Sequence, residues 1–378
     1  MKKNYVTLGE LATYVNGYAF KPTDWSDEGL EIIRIQNLTG NLSEVNLYSG
    51  EYNKKYEVNN GDVLISWSAS LGVYVWNKGR AILNQHIFKV VFNKVDVDKE
   101  FFIQQVGYIL GRANVHAHGA TMKHLTRPVF DSLKFYFPSR EEQKDISNKL
   151  CIVDRLIELH EKYVKDLEQL VKSRFMEMFG DRNFSEVKAA DICDFITKGT
   201  TPNANDIYED FSEGRIPYIK VYNLSNNGQM LFDERPQFIG TGVHEGLLKR
   251  SKVYPGDVLM NIVGPPLGKF AIVPKEYGEW NINQAIAIFR PKEKIRPIYL
   301  LYALMQPDIL KPFLHRAVGI RQLNLSLEQC RELIIKLPPI DLQNQFADFV
   351  EQVNKSKFTH CYELLLLIIK KIWYNNYV

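Results

Sequence analysis

The sequence predicts a mixed α+β architecture made twice: two β-rich domains in tandem, each followed by a long helix. The two helices are expected to form an antiparallel coiled coil, with pseudo-two-fold symmetry relating the halves. Three observations carry this reading. The chain echoes itself about 200 residues apart in collinear blocks. Within each half, short apolar runs broken by Gly, Asn, Asp and Pro give way to a heptad series. The 378 residues, 45% of them hydrophobic, are ample for two separate cores.

The echo is clearest where the helices begin. Phe137-Pro138, Gln143, Ile146, Leu150 and Val153 return as Leu337-Pro338, Gln343, Phe346, Val350 and Val353, each displaced by 200 positions, and His160 returns as His360. Ile33-Arg34-Ile35-Gln36-Asn37-Leu38 resembles Ile219-Lys220-Val221-Tyr222-Asn223-Leu224, Gly61-Asp62-Val63-Leu64 resembles Gly256-Asp257-Val258-Leu259, and Asn84-Gln85 resembles Asn283-Gln284. The offset grows from 186 to 200 along the chain, as small insertions between duplicated blocks require. A solenoid unit would recur every ~20–50 residues instead.

Taken in order, residues 1–137 form the first domain, with strands at Ile32–Ile35, Val63–Trp67, Val73–Trp76 and Ile87–Phe92 and a helix at Lys99–Leu110. Residues 138–180 form the first long helix. Its seam runs Ile146, Leu150, Val153, Ile157, His160, Val164, Leu167, Val171 and Met178 in steps of four and three apart from the final step, and Gly180 ends it. Residues 181–337 form the second domain, with strands at Tyr218–Val221, Val258–Ile262, Phe270–Val273 and Ala285–Phe289 and a helix at Pro297–Met305. Residues 338–378 form the second long helix, with seam positions Phe346, Val350, Val353, Lys357, His360, Leu364, Leu367 and Lys371.

A helix of ~40 residues is about 60 Å long and needs a partner to cover its apolar seam. Connectivity then fixes direction. The first helix carries the chain from domain one to domain two, so a second helix paired with it must run back. This predicts a rod with a domain at each end and Val378 near Met1. His160 and His360 on the seam read as a register-setting layer, with a pH switch or a ligand as the alternative.

Net charge is only +3, so composition alone does not advertise nucleic-acid binding, although a local basic face is compatible with it. Cys151, Cys193, Cys330 and Cys361 are far apart and form no CxxC pair, which suits buried thiols in a reducing cytoplasm. The apolar run Leu364–Ile369 is too short to span a bilayer, so no membrane association is expected.

No catalytic constellation emerges. Gly264 to Lys269 is one residue short of a phosphate-binding loop and lacks its hydroxyl residue, which makes it a turn. In Asn261 to Pro266 the Asn is not adjacent to the prolines, unlike the Asn-Pro-Pro motif of adenine methyltransferases. His116, His118 and His124 have no Cys or carboxylate to complete a metal set, so no metal and no cofactor are expected in this chain.

What remains is a set of polar and aromatic loop residues at equivalent places in the two halves. The first domain offers Tyr18, Lys21, Gln36, Asn37, Ser68, Ser70, Gln85, Lys123 and His124. The second offers Lys198, Thr200, Thr201, Lys220, Tyr222, Asn223, Arg321, Gln322 and Asn324. Such side chains read base edges or hold phosphates: Arg and Lys to guanine, Asn and Gln to adenine, hydroxyls to either. Their repetition around the same core points to a face with one task done twice. The matched Asn-Gln pairs and Asp62 with Asp257 have a structural alternative, fixing turns through local side-chain bonds.

These residues resemble the specificity (S) subunit of Type I restriction–modification enzymes. The motifs that carry the resemblance are Gly17-Tyr18-Ala19-Phe20-Lys21, the Ile33–Leu38 segment, Gly61-Asp62-Val63-Leu64 and Pro138 through Gln143 in the first half. Their counterparts are Gly199-Thr200-Thr201-Pro202, Ile216-Pro217-Tyr218-Ile219, Gly256-Asp257-Val258-Leu259 and Pro338-Pro339 through Gln343. The match covers essentially the whole chain. It implies two target-recognition domains, each reading one half of an asymmetric bipartite double-stranded DNA target, and a coiled coil that sets the spacer. It also implies no enzymatic activity in this chain. Two methylation subunits would bring S-adenosylmethionine and methylate adenine, and restriction subunits would join to translocate and cleave DNA. The competing readings are a non-DNA scaffold with twin interaction domains and a stand-alone methyltransferase or nuclease.

Overall fold

A computed structural model describes residues 4–40, 45–116, 125–264, 267–314 and 323–377. The chain divides into two compact units, residues 1–160 with 362–378 and residues 161–361.

In the first unit, an antiparallel sheet runs in the order Thr13–Asn16, Ile87–Val91, Val63–Ser66, Gly72–Val75. A second sheet runs Leu47–Tyr48, Leu30–Ile33, Ala81–Leu83, Glu57–Val58, and its central pairing, Leu30–Ile33 with Ala81–Leu83, is parallel. A short ribbon ties Tyr5–Thr7 to Lys134–Tyr136, the strand that leads into the first long helix. The helix Lys99–His116 buries Phe101, Phe102, Val106 and Leu110 against Val63, Ile65 and Phe88.

The second unit repeats this plan with an added edge strand, Ile207–Tyr208, and a short added ribbon, Val263–Gly264 with Leu323–Asn324. One sheet runs Cys193–Lys198, Ile286–Pro291, Val258–Asn261, Phe270–Ile272. The other runs Ile207–Tyr208, Phe238–Gly240, Arg215–Ile219, Trp280–Ile282, Lys252–Val253, again with one parallel pairing, Arg215–Ile219 with Trp280–Ile282. Ser185–Lys188 pairs with Ile334–Leu337 before the second long helix. The duplication seen in sequence is thus a duplication of topology.

The structure corrects the strands read from sequence. Those placed at Ile32–Ile35 and Tyr218–Val221 end at Ile33 and Ile219. Asn37 and Asn223 cause this: each accepts the backbone N–H three residues earlier, Arg34 N or Lys220 N, at 2.9 Å, and turns the chain into a helical turn. The parallel partners Ala81–Leu83 and Trp280–Ile282 were missed, because three buried residues show no alternation.

The matched glycines and acids make the turns. Gly61 and Gly256 have φ of 89° and 93°, and Asp62 and Asp257 accept the backbone N–H of Asn59 and Tyr254 at 2.9 Å.

The long helices span Arg140–Phe179 and Ile340–Tyr377. Gln143 and Gln343, both buried, anchor their starts alike. Each donates from Nε2 to the carbonyl of the proline five residues back, Pro138 or Pro338, at 2.9 Å, and accepts Asp98 N or Arg296 N at 2.8 Å. A Cβ at Gly180 would stand 2.6 Å from the Met176 carbonyl, so only glycine closes the first helix in this way.

Within the second unit the helices pair antiparallel. Tyr163 packs on His360 with tilted rings whose centroids are 4.2 Å apart, Lys357 pairs with Glu168 at 3.0 Å, Arg174 lies 5.9 Å from the Phe349 ring, and Phe175 meets Phe346 at 5.4 Å. Seam residues Leu150, Leu167, Phe346, Val350 and Val353 are buried, and Ile146, Val153, Ile157, His160, Val164, His360, Leu364 and Leu367 are half-buried.

Candidate nucleic-acid interface

In the first domain three loop segments meet because two strands are parallel. Leu30–Ile33 and Ala81–Leu83 finish at the same end of the sheet, so the chain leaves both strands side by side, at Arg34–Leu38 and Asn84–His86. The third segment is locked onto them: Gly17 N donates to Ile87 O at 3.2 Å, and Tyr18 N to Leu83 O at 2.8 Å. A Cβ on Gly17 would fall 2.1 Å from the Asn84 carbonyl, so glycine is required for this approach.

Together the segments line a cavity of about 360 Å³ walled by Phe20, Trp25, Arg34, Gln36, Gln85 and His86, with no carboxylate in its lining. Arg34 is held in place. Its Nη1 donates to Asn46 Oδ1 at 2.8 Å and its guanidinium lies 5.6 Å from the Trp25 ring. Beside the cavity runs an aromatic row, Tyr56, Tyr18, Phe20 and Tyr48, with neighbouring centroids 5.7, 4.9 and 5.1 Å apart, and Tyr18 is 47% exposed.

The second domain builds the same junction with different side chains. Gly199 N donates to Ile286 O, Thr200 N to Ile282 O and Asn283 N to Ile219 O, at 3.0, 3.2 and 2.9 Å. A Cβ on Gly199 would lie 2.2 Å from the Asn283 and Ile282 carbonyls. Around this junction stand Lys220, Tyr222, Arg235 and Arg250. Arg250 Nε donates to Thr200 Oγ1 at 3.3 Å, and Arg235 lies 4.9 Å over the Tyr222 ring. Burial, and then the charge of Arg235, push the Lys220 ammonium below the usual lysine range, while burial raises the Tyr222 phenol.

The sequence-selected residues separate into three groups. Tyr18, Gln36, Gln85, Thr200, Thr201, Lys220 and Tyr222 do gather at the two junctions, and Lys21 and Lys198 are exposed nearby in sequence. Asn37 and Asn223 are corrected: at 4% and 0% exposure they hold their turns, and Asn223 Nδ2 also donates to Leu231 O and Arg235 O. Ser68 is likewise buried in the 66–70 hairpin tip, where Ser70 is exposed and takes a bond from Ser66 Oγ to its carbonyl. Asn324 is exposed, in a two-residue strand paired with Val263–Gly264 away from the junction segments in the chain. Lys123, His124, Arg321 and Gln322 lie outside the described residues. Sequence reading missed Arg34, Trp25, Arg235 and Arg250. For Arg34 the signal was present: it aligns with Lys220 in the matched segments.

A family model described as the Type I restriction modification DNA specificity domain matches this chain twice, over residues 2–169 and 181–360. The chain belongs to that family. Each match spans one domain and part of the long helix that follows it. The specificity subunit of the Type I restriction enzyme EcoBI from Escherichia coli is 25% identical over 376 residues, covering 92% of this chain and 78% of that protein. The MjaVIII specificity subunit of Methanocaldococcus jannaschii is 22% identical, covering 92% and 85%. Among solved structures, the crystal structure of the Type I restriction–modification S subunit from M. genitalium has a TM-score of 0.53 at 16% identity, over 99% of this chain and 96% of that one. A chain from a structure describing assembly and conformational transition of the type I R-M system has a TM-score of 0.62 at 14% identity, over 100% and 97%.

Membership makes the chain a non-catalytic DNA-recognition component that works with DNA and with other subunits of a restriction–modification system. Among the described residues, no helix is long and apolar enough to cross a membrane.

Proposed function

We propose that the chain reads a split, asymmetric double-stranded DNA target for a Type I restriction–modification complex, one half-site per domain. The paired helices set the spacer and dock two methylation subunits. The observation that carries this reading is the duplicated junction, a common backbone frame carrying different side chains. Gly17 and Gly199, Asn84 and Asn283, and Asn37 and Asn223 do the same structural work in the two domains. Tyr18 faces Thr200 in equivalence, Gln36 faces Tyr222, and Arg34 faces Lys220. A shared frame with unlike readers fits two unlike half-sites.

Docking is supported by the outer faces of the helices. Ile152 and Leu159 on the first helix are 61% and 54% exposed, and Phe358 on the second is 76% exposed. Large apolar side chains left in water at this density mark an interaction surface. S-adenosylmethionine is expected on the methylation partners, and restriction subunits would join the same assembly.

Selection from a random duplex pool by the complex with methylation subunits tests the reading. Two conserved blocks separated by unselected positions are expected, with an affinity that falls as salt rises. A single continuous block, or salt-independent binding, contradicts it.

A further inference from the structure

Arg34 and Lys220 occupy the same place in the two domains. Each directly follows the last residue of the central parallel strand, Ile33 or Ile219, and each has its backbone N–H held by the asparagine three residues on. Each is half-buried, and among the described residues neither forms an ion pair with a carboxylate. Their neighbours at the junctions are mainly cations, amides and aromatics; a carboxylate near the second, Glu209, acts on Tyr222 and forms no ion pair with Lys220. Gln36 and Gln85 share the cavity with Arg34, and Arg235 raises the positive potential at Lys220. A half-buried cation without a counter-charge is a costly arrangement unless a ligand supplies the acceptor.

Geometry separates the two possible acceptors on DNA. Phosphate contacts are made by any cation that reaches the backbone, whereas reading a base edge needs donors fixed in orientation. Arg34 is fixed: Asn46 takes one end of the guanidinium and Trp25 its face, which leaves the remaining donors aimed as a plane. Lys220 is placed less tightly, by Asn223 at its backbone N–H and by the Tyr218 ring 6.0 Å from its ammonium, and offers a point donor in the same position. Gln36 and Gln85 beside it can pair with a base edge and give no general attraction to phosphate.

We propose that Arg34 and Lys220 are equivalent specificity-determining residues, each donating to the O6/N7 edge of a guanine in the half-site read by its own domain. This rests on the DNA-reading function argued above and adds a base and a residue to each half.

The test uses the full chain in complex with its methylation subunits, after the wild-type target has been defined. Binding is measured on duplexes carrying every single base-pair change in both halves. Arg34→Ala is expected to lose about tenfold to hundredfold discrimination at one G·C pair of one half-site, leaving every position of the other half as in wild type. Lys220→Ala is expected to do the same in the opposite half. A uniform loss across all sequences with a shallower salt dependence makes the residue a phosphate contact and overturns the proposal. So does unchanged discrimination at every position, or both variants acting in the same half. If Arg34→Ala does not assemble, Arg34→Met keeps an unbranched side chain at the position without its donors and is read in the same way. Failure of the wild-type complex to select two half-sites overturns the underlying function instead, so the two failures are distinct.

Discussion

At single residues, the duplicated polar side chains divide into those that make the frame and those free to differ. Asn223 accepts one backbone N–H and donates to two carbonyls while fully buried. Asn223→Ala should therefore lower stability by about 1–3 kcal/mol in thermal unfolding, without relaxing the choice of base at any one position. Gly17→Ala places a methyl group against the Asn84 carbonyl and should cost ~1–3 kcal/mol and weaken reading of its own half-site. The second domain also holds a charged cluster apart from the junction, in which buried His244 bonds Asn281 Oδ1 through Nδ1 and Glu279 through Nε2, the latter at 2.8 Å. The bond from His244 does most to hold the Glu279 carboxyl below the usual glutamate range, and Lys252 adds to it against desolvation. Its folded value is depressed, so its stabilisation is present above the unfolded glutamate value and is lost as pH falls through the folded one. Glu279→Gln should flatten that acid limb in a series of thermal melts, and an unchanged limb would mean that Glu279 contributes nothing to it.

At the level of elements, the long helices were the most legible part of the sequence, because only a long helix keeps apolar residues in steps of four and three over ~40 positions. The strands were legible where buried runs reach four residues, as in Val63–Ser66 and Val258–Asn261. They were not legible at Ala81–Leu83 and Trp280–Ile282, although the parallel pairing of these short strands is what creates the two junctions proposed to read DNA. The site was half legible for the same reason. Repetition found the residues, but nothing in sequence separates the buried asparagines of the frame from exposed readers, because that depends on which way a turn points its side chain. Lysine at a seam position also has a partner that sequence did not name. Lys357 pairs with Glu168, which also accepts Asn227 Nδ2 at 2.9 Å, and both charges are largely buried. Lys357→Ala should cost ~1–3 kcal/mol by stranding Glu168, and Lys357→Met with Glu168→Leu should recover most of it. A loss in the double variant equal to the sum of the losses from Lys357→Met and Glu168→Leu alone would show that the pair is not coupled.

Across the whole chain, the two halves share strand order, turn chemistry and helix anchors, and differ where Tyr18, Arg34 and Gln36 of the first correspond to Thr200, Lys220 and Tyr222 of the second. Duplication keeps the scaffold because both cores need it, and leaves the junction side chains free because no core contact fixes them. If the helices act as a ruler, inserting seven residues at matched seam positions of both should change the number of unread base pairs and leave both half-sites intact. An unchanged spacer would mean that the distance is set elsewhere. The central claim, that one chain reads two unlike half-sites, is tested most directly by methylome sequencing of cells expressing it with its methylation subunits. One bipartite motif is expected, with unlike halves, a fixed unread spacer and a methylated adenine in each half. A continuous motif, or methylation without sequence preference by the assembled complex, would contradict it.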